Sequence, residues 1–290
     1  MEQQLIALYL YVCRAYDNQP DLKYQRLSNF RPHFTDEELV TVYLFGHMQG
    51  FHQQRRIYDY TCRHWRAWFP ALPSYQAFNR RLNRLAPAFE RLIGDALKES
   101  VADLAGQADR LIDSFPVMLA KWPRCAAAHV ASEVADQGYC SSKRSYYYGV
   151  KLHVIALRRA GRLPLPALVH LSRASQHDLT ALRELNPELG RGHLFGDKAY
   201  ADEEIKGLLG ERGTHLLTPY KRRRNEPETA APALWSRFVS SVRQPLESLF
   251  GWLIQRTSIQ NASRVRSTEG LLVHCYGKLA VGCLLLTFNP

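Results

Sequence analysis

The stretch HLFGDKAY, residues 193–200, decides how the second half of this chain is read. Its first residues are apolar and aromatic enough for a short strand, and Asp197 ends that strand just before a turn into the helical pattern of 202–209. An ionised side chain in core structure is costly unless it is paired or holds a metal. In open α/β sheets, ligands collect at the carboxyl ends of strands. Two further segments repeat the pattern. LIDSFPV (111–117) sets Asp113 in an apolar run that predicts a strand over 111–119, and VRQPLESLFGW (242–252) sets Glu247 in a helical stretch. Two aspartates and a glutamate, from two strands and a helix, are the oxygen donors that Mg²⁺ or Mn²⁺ prefers.

Working outward, strands are expected over 146–157 (YYYGVKLHVIAL), 166–172 and 214–219, with helices over 178–188 and 202–209. Five strands interleaved with helices describe an α/β domain with a mixed sheet. In the helical stretch 234–254, Leu234, Phe238, Val242, Leu246, Phe250 and Leu253 form a core stripe. Glu247 borders it, about 100° round from Leu246 at 3.6 residues per turn. Arg243, one turn earlier on the same face, is close enough to orient Glu247 or a phosphate. Pro245 costs about 3 kcal/mol in a helix interior, so either the helix kinks there or a new one starts.

The first hundred residues read as helices. Thr35 and Glu38 make a capping box. A helix over 53–69 is closed by the turn at 70–73, and Ser74 then caps SYQAFNRRLNRL, in which Tyr75, Phe78, Leu82 and Leu85 share a face while Arg80, Arg81 and Arg84 point mostly elsewhere. A candidate helix-turn-helix therefore spans 53–85, its second helix fit to lie on DNA; a bundle with solvated arginines has the same periodicity. The division expected is a helical DNA-binding region over 1–105 and an α/β domain with C-terminal helices over 106–290.

The formal net charge of +11 points to a polyanionic partner. It is clustered: 52–91 carries eight arginines against two acids, and 212–266 ten basic residues against three. Lys221, Arg222, Arg223 and Arg224 read as a phosphate-contacting loop. Lys143 and Arg144 beside Tyr146, Tyr147 and Tyr148 are placed to bracket DNA, although strand tyrosines more often pack. Asp178, after His177, reads most simply as a helix cap. Six cysteines without a C-x-x-C pair fit reduced thiols in a cytosolic protein. The apolar N-terminus carries Glu2 where a signal peptide has basic residues. The run 271–286, broken by His274, Gly277, Lys278 and Gly282, is expected to be a buried terminal helix, too short and polar to span a membrane. A cytoplasmic, nucleoid-associated protein is expected. No G-x-S-x-G elbow is present for a serine hydrolase.

A triad of this kind would hold two divalent ions roughly 4 Å apart, one activating an oxygen nucleophile and the other stabilising the departing oxygen. Taken singly, the acids have plainer uses: Asp113 could cap a turn, Asp197 a helix, and Glu247 could pair with Arg243. Together, LIDSFPV, YGVKLH, HLFGDKAY and RQPLESLFGWL resemble the catalytic blocks of bacterial insertion-sequence transposases of the DDE superfamily, over roughly 106–260. D-K-x-Y after a short strand and R-x-x-x-E on a later helix are the more specific parts.

The resemblance implies a ribonuclease H-like fold, with a mixed five-stranded sheet flanked by helices, after an all-α DNA-binding region. It implies Asp113, Asp197 and Glu247 as ligands of two Mg²⁺ ions, which Mn²⁺ can replace, and Lys198, Tyr200 and Arg243 as supporting residues near the phosphates. The implied partner is double-stranded DNA, both element ends and target, bound by a homodimer. The family's fullest signature has Tyr three residues before the Arg and Lys seven after the Glu. Here Ser240 and Ile254 stand there, and Arg256 is the nearby cation for DNA. Two other readings fit the same residues: a ribonuclease H-fold nuclease without strand transfer, and a non-catalytic DNA-binding protein.

Overall fold

The computed structural model of the chain describes residues 1–18, 32–102, 109–221 and 229–288. It divides into two units. One comprises Met1–Glu99, Leu253–Ile259 and Val265–Pro290; the other comprises Ser100–Trp252 and Gln260–Arg264.

The first unit is helical: α1 (Glu2–Asn18), α2 (Asp36–Met48), α3 (Gln54–His64), α4 (Tyr75–Leu82), α5 (Ala86–Ala102) and, from the far end of the chain, α9 (Thr268–Phe288). The capping box at α2 is formed: Thr35 Oγ1 accepts from the Glu38 N–H at 3.2 Å, and the Glu38 carboxylate accepts from the Thr35 N–H at 2.6 Å. From Leu39 to His47 every residue of α2 is buried, as expected of a helix surrounded by others. One of those neighbours is α9. A Cβ at Gly277 would lie 2.6 Å from the Tyr43 ring, so glycine permits the approach. The segment Thr268–Thr287 is long and apolar enough to cross a bilayer, but it is mostly buried. It is the core helix expected of 271–286, begun three residues earlier. The sequence boundary at 105 grouped α9 with the sheet; its contacts are with the helices, where α2 offers an apolar partner.

The second unit holds β1 (Asp109–Lys121), β2 (Asp136–Cys140), β3 (Ser145–Leu157), β4 (Leu165–Arg173), α6 (Asp178–Leu185), β5 (Gly192–Phe195), α7 (Glu203–Glu211), β6 (Thr214–Leu217) and α8 (Ala230–Thr257) up to Trp252. The sheet has six strands where five were expected. The extra one, β2, reads DQGYC, which has no β-branched residue to announce it. It pairs with residues 145–149 of β3, while β4 pairs with 150–157 along the same edge. Six strands therefore fill five positions, ordered β2/β4–β3–β1–β5–β6. β3 is antiparallel to β1, β2 and β4, and β5 runs parallel to β1 and β6. This mixed, helix-flanked sheet is consistent with the ribonuclease H-like fold. Gly149 lets β1 and β3 close up, since a Cβ there would sit 2.1 Å from the Val117 carbonyl oxygen.

One face of the sheet, with Ile112, Ile155, Leu194 and Leu216, packs on Leu182 of α6 and on Ile205 and Leu209 of α7. On the other, Phe115 meets Phe250 of α8, ring centroids 4.7 Å apart. Strand β1 outruns its parallel neighbour: it pairs with β5 only over Asp109–Leu111. Its edge next meets the chain at Met118, whose N–H donates to Gln260 O at 2.8 Å and whose carbonyl accepts from Ala262 N at 2.9 Å. Pro116 lies in the interval, where no ladder bond is required of it. Helix α8 continues through Pro245 as one 28-residue helix, so no new helix starts there.

Candidate active site

The last registered pair of β1 and β5 is Leu111 with Phe195. Two residues further on, each chain carries an aspartate: Asp113, still within β1, and Asp197, at the turn out of β5. This is the carboxyl-end position at which parallel sheets gather ligands. Asp113 Oδ1 accepts from the Ser114 N–H at 2.8 Å, and its Oδ2 accepts from Arg243 Nη2 of α8 at 2.8 Å. Burial pushes the Asp113 carboxyl up to about 6 against the pull of Arg243 and of the Ser114 N–H, and the nearby Asp197 and Asp178 push it further. Asp197 is half-buried. Its Oδ1 caps the short 3-10 turn Lys198–Tyr200, accepting from the Ala199 N–H at 2.8 Å, and its Oδ2 has no hydrogen-bond partner among the described residues.

Glu247 is exposed on α8, one turn past Arg243, with no ion pair to any described residue. Arg243 turns to Asp113 and not to Glu247, because the half-buried acid offers the stronger field. Phe250, a turn further along, fixes this face of α8 to β1 through Phe115. Two of the three predicted acids are thus brought to one place, and the third stands on the adjoining helix. Among the described residues, no three of His, Cys, Asp and Glu are gathered as a metal-binding group.

Tyr200 is completely buried, with a hydroxyl that has no hydrogen-bond partner among the described residues. Burial, and then Asp178, Asp113 and Asp197, raise its pKa far above the ordinary phenol value, so it stays a neutral phenol. Lys198 is exposed.

Asp178 is not the cap of α6. His177 is, its Nδ1 accepting from the Leu179 N–H at 3.2 Å. Asp178 Oδ1 instead accepts from Ser114 Oγ at 3.1 Å and from Lys151 Nζ at 3.2 Å, with His153 Nδ1 4.0 Å away. Lys151 also donates to Gln176 O at 2.8 Å, and His153 Nε2 meets Ser172 Oγ at 2.8 Å. Burial drives His153 down to about 4 despite Asp178. The sequence signal for this group was K-x-H in YGVKLH: two polar residues on one face of an otherwise apolar strand.

The remaining basic candidates separate. Arg80 is exposed on α4, and Arg84 is exposed in the turn just past its end. Arg81 is not available to DNA: its guanidinium pairs with Asp36 at 2.5 Å and donates to Phe34 O at 2.7 Å. Lys143 donates to the Gln260 side chain, and Arg144 is exposed in the β2–β3 turn with φ 47°. Tyr146 is exposed against Tyr139, while Tyr147 and Tyr148 are buried. Lys221 and Arg256 are exposed; Arg222, Arg223 and Arg224 lie outside the described residues. All six cysteines are free.

A family model described as a transposase DDE domain matches residues 105–268. The chain belongs to this family. No curated protein and no solved structure matches it. The transposase domain so matched contains Asp113, Lys151, Asp178, Asp197, Arg243 and Glu247, and it stops at the first residue of α9. DDE transposases generally use divalent metals, and the donor chemistry here fits one. Asp113 and Asp197 are hard oxygen donors, and a divalent cation offsets both the burial that raises Asp113 and the lesser repulsion from Asp197.

Proposed function

We propose that this transposase binds the ends of its own insertion sequence, cleaves them by metal-dependent phosphodiester hydrolysis and joins the freed 3′ ends to target DNA. The observation that carries the reading is the pair of aspartates at matching places beyond Leu111 and Phe195, with Arg243 of α8 on the first of them. In this reading Asp113, Asp197 and Glu247 are the ligands of two Mg²⁺ ions, with Mn²⁺ able to substitute. The bound ions supply an activated oxygen nucleophile and a stabilised leaving oxygen.

Arg243 holds Asp113 ionised and fixed, and turns to a phosphate oxygen when Oδ2 takes another partner. Tyr200 and Lys198 are supporting residues near the phosphates. The region 1–105 binds element ends through Arg80 and Arg84. Lys143, Arg144, Lys221–Arg224 and Arg256 grip the backbone of ends or target. Paired ends call for a homodimer, working on nucleoid DNA in the cytoplasm.

The test is to incubate the chain with Mg²⁺, a duplex carrying the inverted repeat that flanks its gene, and a supercoiled plasmid. Joined products are expected. Nicks without joining would identify a nuclease. Binding without cleavage in Mg²⁺ or Mn²⁺ would identify a non-catalytic DNA-binding protein.

A further inference from the structure

Helix α4 has two unlike sides. Ser74 Oγ caps its first turn, and Phe78 and Leu82 are fully buried, Phe78 lying 5.7 Å from the Tyr58 ring and 6.5 Å from the Phe34 ring. Arg81 ties the helix to Asp36 and Phe34. On the outward side Gln76, Asn79, Arg80 and Asn83 recur at i, i+3, i+4 and i+7, one stripe of the helix surface. With Arg84 and Glu269 they line an open groove of about 450 Å³. Among the described residues, none of the four stripe side chains has a hydrogen bond or an ion pair.

Three carboxamides and an arginine are more than a phosphate grip requires. A carboxamide sets a donor beside an acceptor, the complement of adenine N6–H and N7, and a guanidinium sets two donors against guanine O6 and N7. Glu269, the groove's acid, can accept from cytosine N4. Exposed Arg56, Arg63 and Arg84 supply the positive surround that a duplex needs. We propose that Gln76, Asn79, Arg80 and Asn83 read base edges in the major groove of duplex DNA, with Arg84 on the backbone, so that α4 sets which sequence the chain binds. The inference rests on the reading of duplex DNA as the partner and is independent of the catalytic centre.

The test is selection of bound sequences from a randomised 20-base-pair duplex pool by the full chain. The wild type is expected to recover a motif with adjacent purine positions. Gln76→Ala, Asn79→Ala, Arg80→Ala and Asn83→Ala should each relax one position, losing roughly five- to 150-fold discrimination there. Arg84→Ala should keep the motif and lower the salt slope by about one. Retained binding to a duplex of fixed, unrelated sequence shows that each variant is folded. Asp197→Ala, run through the same selection, should return the wild-type motif, which separates this inference from the transposition reading. A wild type that recovers no motif, or four stripe variants that all recover the wild-type motif unchanged, overturns the proposal.

Discussion

Asp113 and Asp178 in the sheet unit, and His47, His274 and Lys278 in the helical unit, are all ionisable groups drawn out of water, yet they are handled differently. The acids keep some exposure, and their partners are cationic side chains, Arg243 at 2.8 Å and Lys151 at 3.2 Å. The bases are buried. Two of them donate to main-chain carbonyls: His274 Nε2 to Ile259 O at 2.7 Å, and Lys278 Nζ to Ser258 O at 3.2 Å. Burial first, then their mutual repulsion, pushes His274 down to about 3 and His47 well below the usual range; burial alone brings Lys278 to about 8. A carboxylate held by side chains that can turn away keeps its capacity for a ligand. A base held by the backbone serves only the folded state. Burial of charge is common to both places; what marks a site is a partner that can be exchanged.

The sharpest way to break that comparison is to delete one group from each side. Asp197→Ala and Asp113→Ala are expected to lower metal-dependent nicking about a thousandfold or more, whereas Lys278→Met should leave it within about twofold. An active Asp197→Ala protein would remove the distinction. Arg243→Ala comes next. It strands Asp113 without its partner and should cost about 1–3 kcal/mol in urea unfolding, below the figure for a fully buried pair because both side chains keep some exposure. Combined with Asp113→Asn, the loss should largely vanish.

Acid is the matching probe of the bases. The unfolded chain takes up protons near pH 6.5 that the folded His47 and His274 refuse, so stability should fall as pH drops from 6.5 toward 3. Lys278 acts in the same sense between about 8 and 10.5, where stability should rise with pH. A loss of about 1–2 kcal/mol per histidine between pH 7 and 5 is expected from urea midpoints. His274→Leu should flatten the slope; an unchanged slope would exonerate that residue. The smallest effect expected is that of Arg81→Ala: about 1 kcal/mol less stable, with the salt dependence of DNA binding unaltered.

Much of the fold was legible because its signals are local. The capping box at Thr35, the cap at Ser74 and the strands at 145–157, 165–173 and 214–217 all follow from patterns within a dozen residues. What stayed hidden depends on distant partners. β2 has no β-branched residue and exists because β3 offers an edge. Pro245 sits inside an unbroken helix because packing through Leu246, Leu249 and Leu253 outweighs a missing hydrogen bond. At the candidate site, Asp113 and Asp197 were readable as acids in apolar runs. Asp178 was not, since its ties to Ser114 and Lys151 cross 64 and 27 residues. Arg81 looked like its neighbours Arg80 and Arg84 until Asp36, 45 residues away, was seen to hold it.

The interval in β1 between its two neighbours has one more consequence. Met118 sends its N–H to that edge, so by alternation Ser114 and Pro116 face it too. Yet Asp113 Oδ1 already takes the Ser114 N–H, Pro116 has none, and Gln260 takes that of Met118. A bare strand edge invites another chain to zip onto it. This one presents no vacant donor from Ser114 to Met118, so a strand laid beside Asp113 would find acceptors only and could not complete an ordinary ladder.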